Sequence, residues 1–297
     1  VGISAINNAS IIMNMLTQLA IGLTVGGNVL VGQYFGSGDH ENRRKSAGNM
    51  LTVGLIAGLL FAAGILLLGR PLLILLQSPT LEEATAYLSI CGVGLLFIFV
   101  YNSLSAILRG VGNSRIPLYC IIASVSLNVV LDILFVAGFH MGVAGAALAT
   151  VISQGISAAW VLKFLTGRRA LLTLKLGCLP LQARRVKRIV ALGLSGFFMN
   201  LTNSLVQVVC NATLQSYGGD LYVGVMTIIN SLREVFFMPV QGLTNGAQPV
   251  TGYNYGAGRY SRVRSSIRFS VAGTVKLRPM AASAITAPKL CLLTETA

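Results

Sequence analysis

Charge is scarce in this chain, and what there is leans one way. Of 297 residues only 10% are charged, and 22 Lys and Arg stand against 8 Asp and Glu. With two histidines, His40 and His140, no Ser/His/Asp or Cys/His constellation can be assembled, so an enzyme is not expected. The five cysteines, Cys91, Cys120, Cys178, Cys210 and Cys291, show no Cys-x-x-Cys or Cys/His spacing, which suggests neither a zinc site nor a disulfide framework. A Gly-x-x-x-x-Gly-Lys-Ser/Thr loop is also missing, which argues against ATP-driven work by these residues. The net charge of +14 raises nucleic acid as a partner. Basic residues confined to alternate loops of an apolar chain are a topology signal instead, so no nucleic-acid binding is expected.

What the chain has in abundance is apolar length. Hydrophobic residues make up 54% and the mean hydropathy is +0.76, well beyond the needs of a soluble domain. Spans of about 20 apolar residues cross a bilayer, and seven fit, near 5–34, 47–68, 84–107, 116–139, 142–164, 189–217 and 221–255. The first and last exceed the bilayer and are expected to tilt or protrude. Arg43, Arg44 and Lys45; Arg109 and Arg115; Arg168 to Arg188; and Arg259, Arg262, Arg264 and Arg268 define a cytoplasmic set of loops. The intervening loops hold Arg70 with Glu82 and Glu83, then His140, then Asp220, an outside set. A cell-membrane (plasma or inner-membrane) protein follows. Val1 then lies outside at the start of a span, and a leading segment is expected to be missing. Residues 269–275 begin a further apolar run that breaks at Lys276, Arg278 and Pro279, so no eighth span is completed. The tail at 276–297 reads either as a shifted frame or as a natural cytoplasmic end.

A long-range repeat organises these spans. Gly22-Leu23-Thr24 through Gly36-Ser37-Gly38 returns 220 residues later as Gly242-Leu243-Thr244 through Gly256-Ala257-Gly258. From 22 to 46 about nine of 25 positions agree, with Arg44/Arg264 and Ser46/Ser266 extending the match. A period this long in an apolar chain points to the duplicated lobes of a transporter.

Intramembrane acids are costly and mark where chemistry is to be sought. Asp132 lies four residues after Asn128, on the same helix face. Thr150 follows the next turn at the same depth, about 13 Å from the outer end by helical rise. Carboxylate, amide oxygen and hydroxyl together suit a hard monovalent cation, and burial also favours a carboxylate that takes up a proton. The plainer reading is a protonated Asp132 bonded to Asn128 as interhelical glue. Glu234 is the second such acid. Its neighbour Arg233 offers an ion-pair partner, while an apolar cleft would make it a lure for cationic substrates. Gln154, Asn200, Asn203 and Gln207 are further candidates for lining a cleft, and Tyr101 a weaker one; each is otherwise explained by interhelical hydrogen bonding.

Four segments carry a family resemblance. Gly32-Gln33-Tyr34-Phe35-Gly36-Ser37-Gly38-Asp39, Leu108-Arg109-Gly110-Val111-Gly112-Asn113-Ser114-Arg115, Gly142-Val143-Ala144-Gly145-Ala146-Ala147-Leu148-Ala149-Thr150 and Gln248-Pro249-Val250-Thr251-Gly252-Tyr253-Asn254-Tyr255-Gly256-Ala257 resemble, in the same order, the multidrug and toxic compound extrusion (MATE) family. The resemblance implies an all-α, polytopic, two-lobe helical bundle, of which this chain holds about seven of an expected twelve transmembrane helices, numbers two to eight and a stub of nine. Residues 1–166 would then be the N-lobe, 167–188 a cytoplasmic inter-lobe linker, 189–275 the start of the C-lobe and 276–297 an atypical tail. It further implies an antiporter in which Na+ or H+ entry drives export of lipophilic, often cationic drugs or metabolites. No cofactor is implied beyond the coupling ion, and the complete protein would be a monomer surrounded by membrane lipid. Asn128, Asp132 and Thr150 match positions of the family's N-lobe cation site, which an Asp on helix one normally completes. Two alternatives stand beside this. One is a flippase for lipids or lipid-linked oligosaccharides, against which Arg233 is the only basic residue deep in a span; the other is a truncated, non-transporting remnant.

Overall fold

The computed structural model describes residues 2–75, 81–167, 172, 176–178 and 180–275, and among them there is no strand. Five helices come first: α1 (Gly2–Gly36), α2 (His40–Leu75), α3 (Leu81–Gly110), α4 (Arg115–Asp132), continued by a π-helical turn over Ile133–Gly138, and α5 (Gly142–Thr166). All five are long and apolar enough to cross a membrane. A 3-10 turn at Leu176–Cys178 precedes α6 (Ala183–Gly256), and residues 260–275 form α7. The tail expected to be atypical, 276–297, lies outside the described residues.

α1, α2 and α5 pack around α3, and α4 packs on the outside against α5. Toward the basic end, which the charge rule assigns to the cytoplasm, Leu30, Val31, Met50, Leu104, Ile107 and Val161 form one buried cluster; Leu73, Leu88, Leu95 and Phe99 form a second toward the other end. The opposite face of α2 leaves Leu59, Leu60, Leu66, Leu67 and Leu68 exposed, and α4 exposes Leu118, Ile122, Val125 and Val129. Apolar side chains on an outer surface are what lipid contact requires, since hydrocarbon solvates them as well as a protein core does.

The two spans expected at 189–217 and 221–255 belong to one uninterrupted helical run, α6, of 74 residues. It is not a straight rod. Gly193 and Gly196 pack on Gly22 and Leu23 of α1, while Pro249 and Gly252 pack beside Gly32 of the same helix. A straight helix would separate Gly196 from Gln248 by roughly 80 Å, whereas Gly22 and Asn28 are about 9 Å apart along α1. The chain therefore reverses within α6, giving two antiparallel limbs, and Gly218-Gly219-Asp220 is where the sequence marks the turn.

The described residues between α5 and α6 dock on α2 and the cluster beneath it. Asn49 of α2, 1% exposed, donates through Nδ2 to the carbonyls of Lys45 (2.8 Å) and Pro180 (3.2 Å) and accepts at Oδ1 from the Gln182 amide (2.7 Å). Arg185 donates to the Asn42 side-chain oxygen, and Gly48 lies so close to the Cys178 carbonyl that a Cβ would overlap it. Leu172 and Ile189 bury their side chains in the cluster beneath. One saturated carboxamide thus fixes the start of α6 against α2.

Candidate functional site

Ser124, Asn128 and Asp132 recur every fourth residue on α4, so they share one face, and that face meets α5. Ser124 Oγ donates to the Ser153 carbonyl at 3.2 Å, tying the helices about two turns below the acid. Hydrogen bonding selects the orientation of the Asn128 carboxamide. With its nitrogen toward Asp132 Oδ2 (3.3 Å), its oxygen lies 3.3 Å from the Thr150 backbone N–H. The carboxamide end is also 3.5 Å from Thr150 Oγ1, whose proton goes to the Ala146 carbonyl at 3.0 Å. Asp132 Oδ1 is shielded from solvent and has no partner. Asp132 also closes the α-helical part of its span, immediately before the π-turn; such wide turns recur at functional sites because they re-aim neighbouring side chains.

The structure thus brings Asn128, Asp132 and Thr150 together. In this orientation the carboxamide presents its nitrogen to the carboxylate. The reverse orientation would set an amide oxygen against the carboxylate, acceptor against acceptor. Among the described residues no cluster of three His, Cys, Asp or Glu could hold a metal ion. The oxygens gathered here suit a singly charged ion better than a divalent one, which takes six to eight oxygens.

The candidate cleft residues lie on α3, α5 and both limbs of α6. Gln154 is half-buried one turn beyond Thr150 on α5. Tyr101 is half-buried between α3 and α4 and donates to the Pro117 carbonyl at 3.4 Å. Asn203 and Glu234 are exposed on the two limbs of α6, and the side chains of Asn200 and Gln207 lie outside the described residues. Of the two readings left open for Glu234, the ion pair with Arg233 is not formed; the pair seen among the described residues is Lys45–Glu41. Neighbours one apart on a helix point about 100° away from each other, so adjacency in sequence does not make partners. A cavity of about 360 Å³ lies elsewhere, at the basic end, lined by Phe35, Gly110, Gly112, Gly246, Pro249 and Tyr253.

Sequence reasoning missed two polar contacts that join distant parts of the chain. Asn28 Nδ2 of α1 donates to Gln248 Oε1 of α6 at 3.2 Å, and Asn49 holds the linker as described. The signal for the first was present in the sequence: 28 and 248 differ by the repeat offset of 220.

Comparison with known proteins agrees with this architecture. The chain is 33% identical to "Probable multidrug resistance protein YpnP" of Bacillus subtilis (strain 168), over 72% of this chain and 47% of that protein. It is 25% identical to "Multidrug export protein MepA" of Staphylococcus saprophyticus, over 85% of this chain and 56% of that one. The chain thus spans about half the length of the curated relatives it matches. Among solved structures, "Crystal structure of MATE in the bent conformation" superposes with a TM-score of 0.92 at 22% identity, covering 98% of this chain and 66% of that one. "Outward-facing conformation of a multidrug resistance MATE family transporter of the MOP superfamily" does so with a TM-score of 0.89 at 23% identity, covering 97% and 66%. The MatE family profile matches residues 1–134 and 196–288, both copies of the repeat included, and this polytopic helical membrane chain belongs to the MatE family of multidrug and toxic compound extrusion transporters.

Proposed function

We propose that the chain forms part of a cation-coupled antiporter of the cell membrane that exports lipophilic, often cationic small molecules by alternating access, with Na+ or H+ as the coupling ion. The observation that carries the coupling reading is the unpartnered Asp132 Oδ1 beside Asn128 and Thr150, in a pair of helices that hold no other acid. An ionised carboxylate there is costly and is kept for a partner or a task. When a cation arrives, the Asn128 carboxamide turns its oxygen toward it and releases the Thr150 backbone; when the ion leaves, the N–H returns to the carboxylate. That two-position amide links ion occupancy to the packing of α4 on α5. Each ligand shifts the lobes only by its differential affinity for their two arrangements. Transported drug, coupling ion and surrounding lipid are the partners, and no cofactor is required. Arg233, exposed on α6, is not joined by the cluster of basic residues that a lipid-phosphate path would need.

Labelling of Asp132 by a hydrophobic carbodiimide tests the site directly. Protection by Na+ at fixed pH identifies sodium coupling. Labelling that changes with pH alone identifies proton coupling, and labelling indifferent to both would overturn the reading. Asp132→Asn in the complete transporter should then abolish ion-dependent efflux of a fluorescent lipophilic cation at unchanged membrane abundance.

A further inference from the structure

The two copies of the repeat meet each other, and they do so through equivalent residues. Gly32 of α1 faces Gly252 of α6, its own counterpart, with a Cβ on Gly32 falling 3.8 Å from the Gly252 carbonyl carbon. A Cβ on Gly36 would overlap the Tyr253 carbonyl oxygen, and one on Gly256 would overlap the Gln33 carbonyl oxygen. Gly256 is the repeat partner of Gly36, and Tyr253 of Gln33, so these two contacts are one contact seen from either side. The Asn28–Gln248 bond joins equivalents in the same way. Reciprocal contacts of this kind define a two-fold axis between the copies. Both helices run toward the basic end, so the axis lies along the membrane normal, as in parallel repeats.

Glycine at every fourth position lets the backbones touch at Gly32/Gly252 and Gly36/Gly256. At Asn28 and Gln248, one turn further from the basic end, the small residues stop and a single amide pair takes over. Asn28 is 4% exposed, and its Oδ1 has no partner in this arrangement. The seam therefore closes on one neutral hydrogen bond and one unmet acceptor, which is a contact suited to being broken. The linker clamp differs: Asn49 has its carboxamide fully bonded and stays with α2. The cavity beside Phe35 and Tyr253 reaches the same seam from the basic end.

We propose that Asn28 and Gln248, equivalent residues on the axis between the two repeat copies, form the latch that holds the cytoplasmic side closed. The latch rests on the alternating-access reading for its role in transport, but its existence is tested without transport. In everted membrane vesicles carrying the full chain with Cys91, Cys178, Cys210 and Cys291 replaced by Ser, the pair Asn28→Cys/Gln248→Cys is treated with a short bis-thiol crosslinker. Most molecules should become crosslinked; absence of the crosslink would overturn the seam.

The second arm places a thiol behind the latch, at the buried Thr24, as Thr24→Cys, and measures its labelling by a membrane-impermeant maleimide added to the cytoplasmic face. Asn28→Ala or Gln248→Ala should each speed labelling about five-fold, the weight of one ordinary hydrogen bond. The exchanged pair Asn28→Gln/Gln248→Asn should restore slow labelling, while the buried Cys120 stays protected throughout. Unchanged labelling, or Cys120 becoming labelled in parallel, would sink the latch, the latter by revealing general unfolding. A chain that passes both arms yet shows no carbodiimide protection at Asp132 by Na+ or pH would lose the coupling reading and keep the latch.

Discussion

The two copies of the repeat share a backbone and differ in what surrounds it. Gly38 and Gly258 both adopt positive φ, 74° and 70°, in a left-handed cap that glycine supplies without strain. The bonds behind them correspond one for one: Asp39 N–H to the Tyr34 carbonyl and Arg259 N–H to the Asn254 carbonyl, at 3.1 and 2.9 Å. Burial does not correspond. Thr24 and Ser46 are 5% and 0% exposed, whereas Thr244 is exposed and Ser266 half-buried, bonded to Thr251 at 3.0 Å. The side chains diverge where neighbours arrive. Asn42 and Asn49 receive the linker, while their counterparts are Arg262 and Phe269, which offer it no matching acceptor. Arg43 lies over the Phe35 ring, 5.0 Å from its centroid, and its counterpart is Val263. A duplicated turn thus folds from its own residues, and each copy's later substitutions record the partners it acquired.

The largest effect is expected where the copies touch. Gly36→Ala and Gly256→Ala each force a Cβ onto a carbonyl across the seam, and overpacking of that sort costs about 1–3 kcal/mol. Because the contact is reciprocal, the two should lower the melting temperature in detergent by similar amounts, and the double variant by less than their sum. Full additivity would break the symmetry argument. Gly38→Ala and Gly258→Ala, whose Cβ atoms would meet nothing within 4 Å, carry only the strain of the left-handed conformation, about 1 kcal/mol.

A smaller effect separates the copies. Asn49→Ala leaves the Gln182 N–H and the Pro180 carbonyl without their buried partner, at a cost of about 1–3 kcal/mol. Limited proteolysis between α5 and α6 should speed up several-fold. Phe269→Ala, at the equivalent position, should leave that cleavage rate alone; acceleration by both would show that the clamp does not distinguish the copies.

The smallest difference is one of charge at the cap. Asp39 accepts the Asn42 backbone N–H at 2.9 Å and the Asn42 side chain as well, and these bonds hold its carboxyl below the ordinary 3.8. A lowered native pKa means that stability is fully present above the unfolded value and is lost as pH falls through the native one. Melting temperatures of the parent and Asp39→Ala should therefore differ at neutral pH and converge in acid below the lowered value. Arg259→Ala, the counterpart, should shift the melting temperature by the same amount across that range, and any acid-dependent gap there would contradict the assignment.

Much of the fold was legible because its signals are local. Apolar runs of bilayer length located α1 to α5, and the four-residue spacing of Asn128 and Asp132 put them on one face. Thr150 could be placed by depth because a tight turn joins α4 to α5. Of the two readings left open for Glu234, pairing with Arg233 rested on adjacency in sequence, and a helix turns such neighbours apart. The orientation of the Asn128 amide was beyond reach, since it depends on the Thr150 backbone N–H facing it from another helix.

By itself the sequence determined the membrane setting, the helices and the existence of two related copies, because hydrophobic period and residue identity act over a turn or two of chain. Only the tertiary structure decided that α6 folds back so that both limbs lie on α1, that the linker is held by Asn49, and that the repeat copies meet through their own equivalents. Those outcomes depend on whether surfaces up to 220 residues apart fit closely enough to exclude one another's Cβ atoms and satisfy one another's amides, a property of shape in three dimensions that no local pattern encodes.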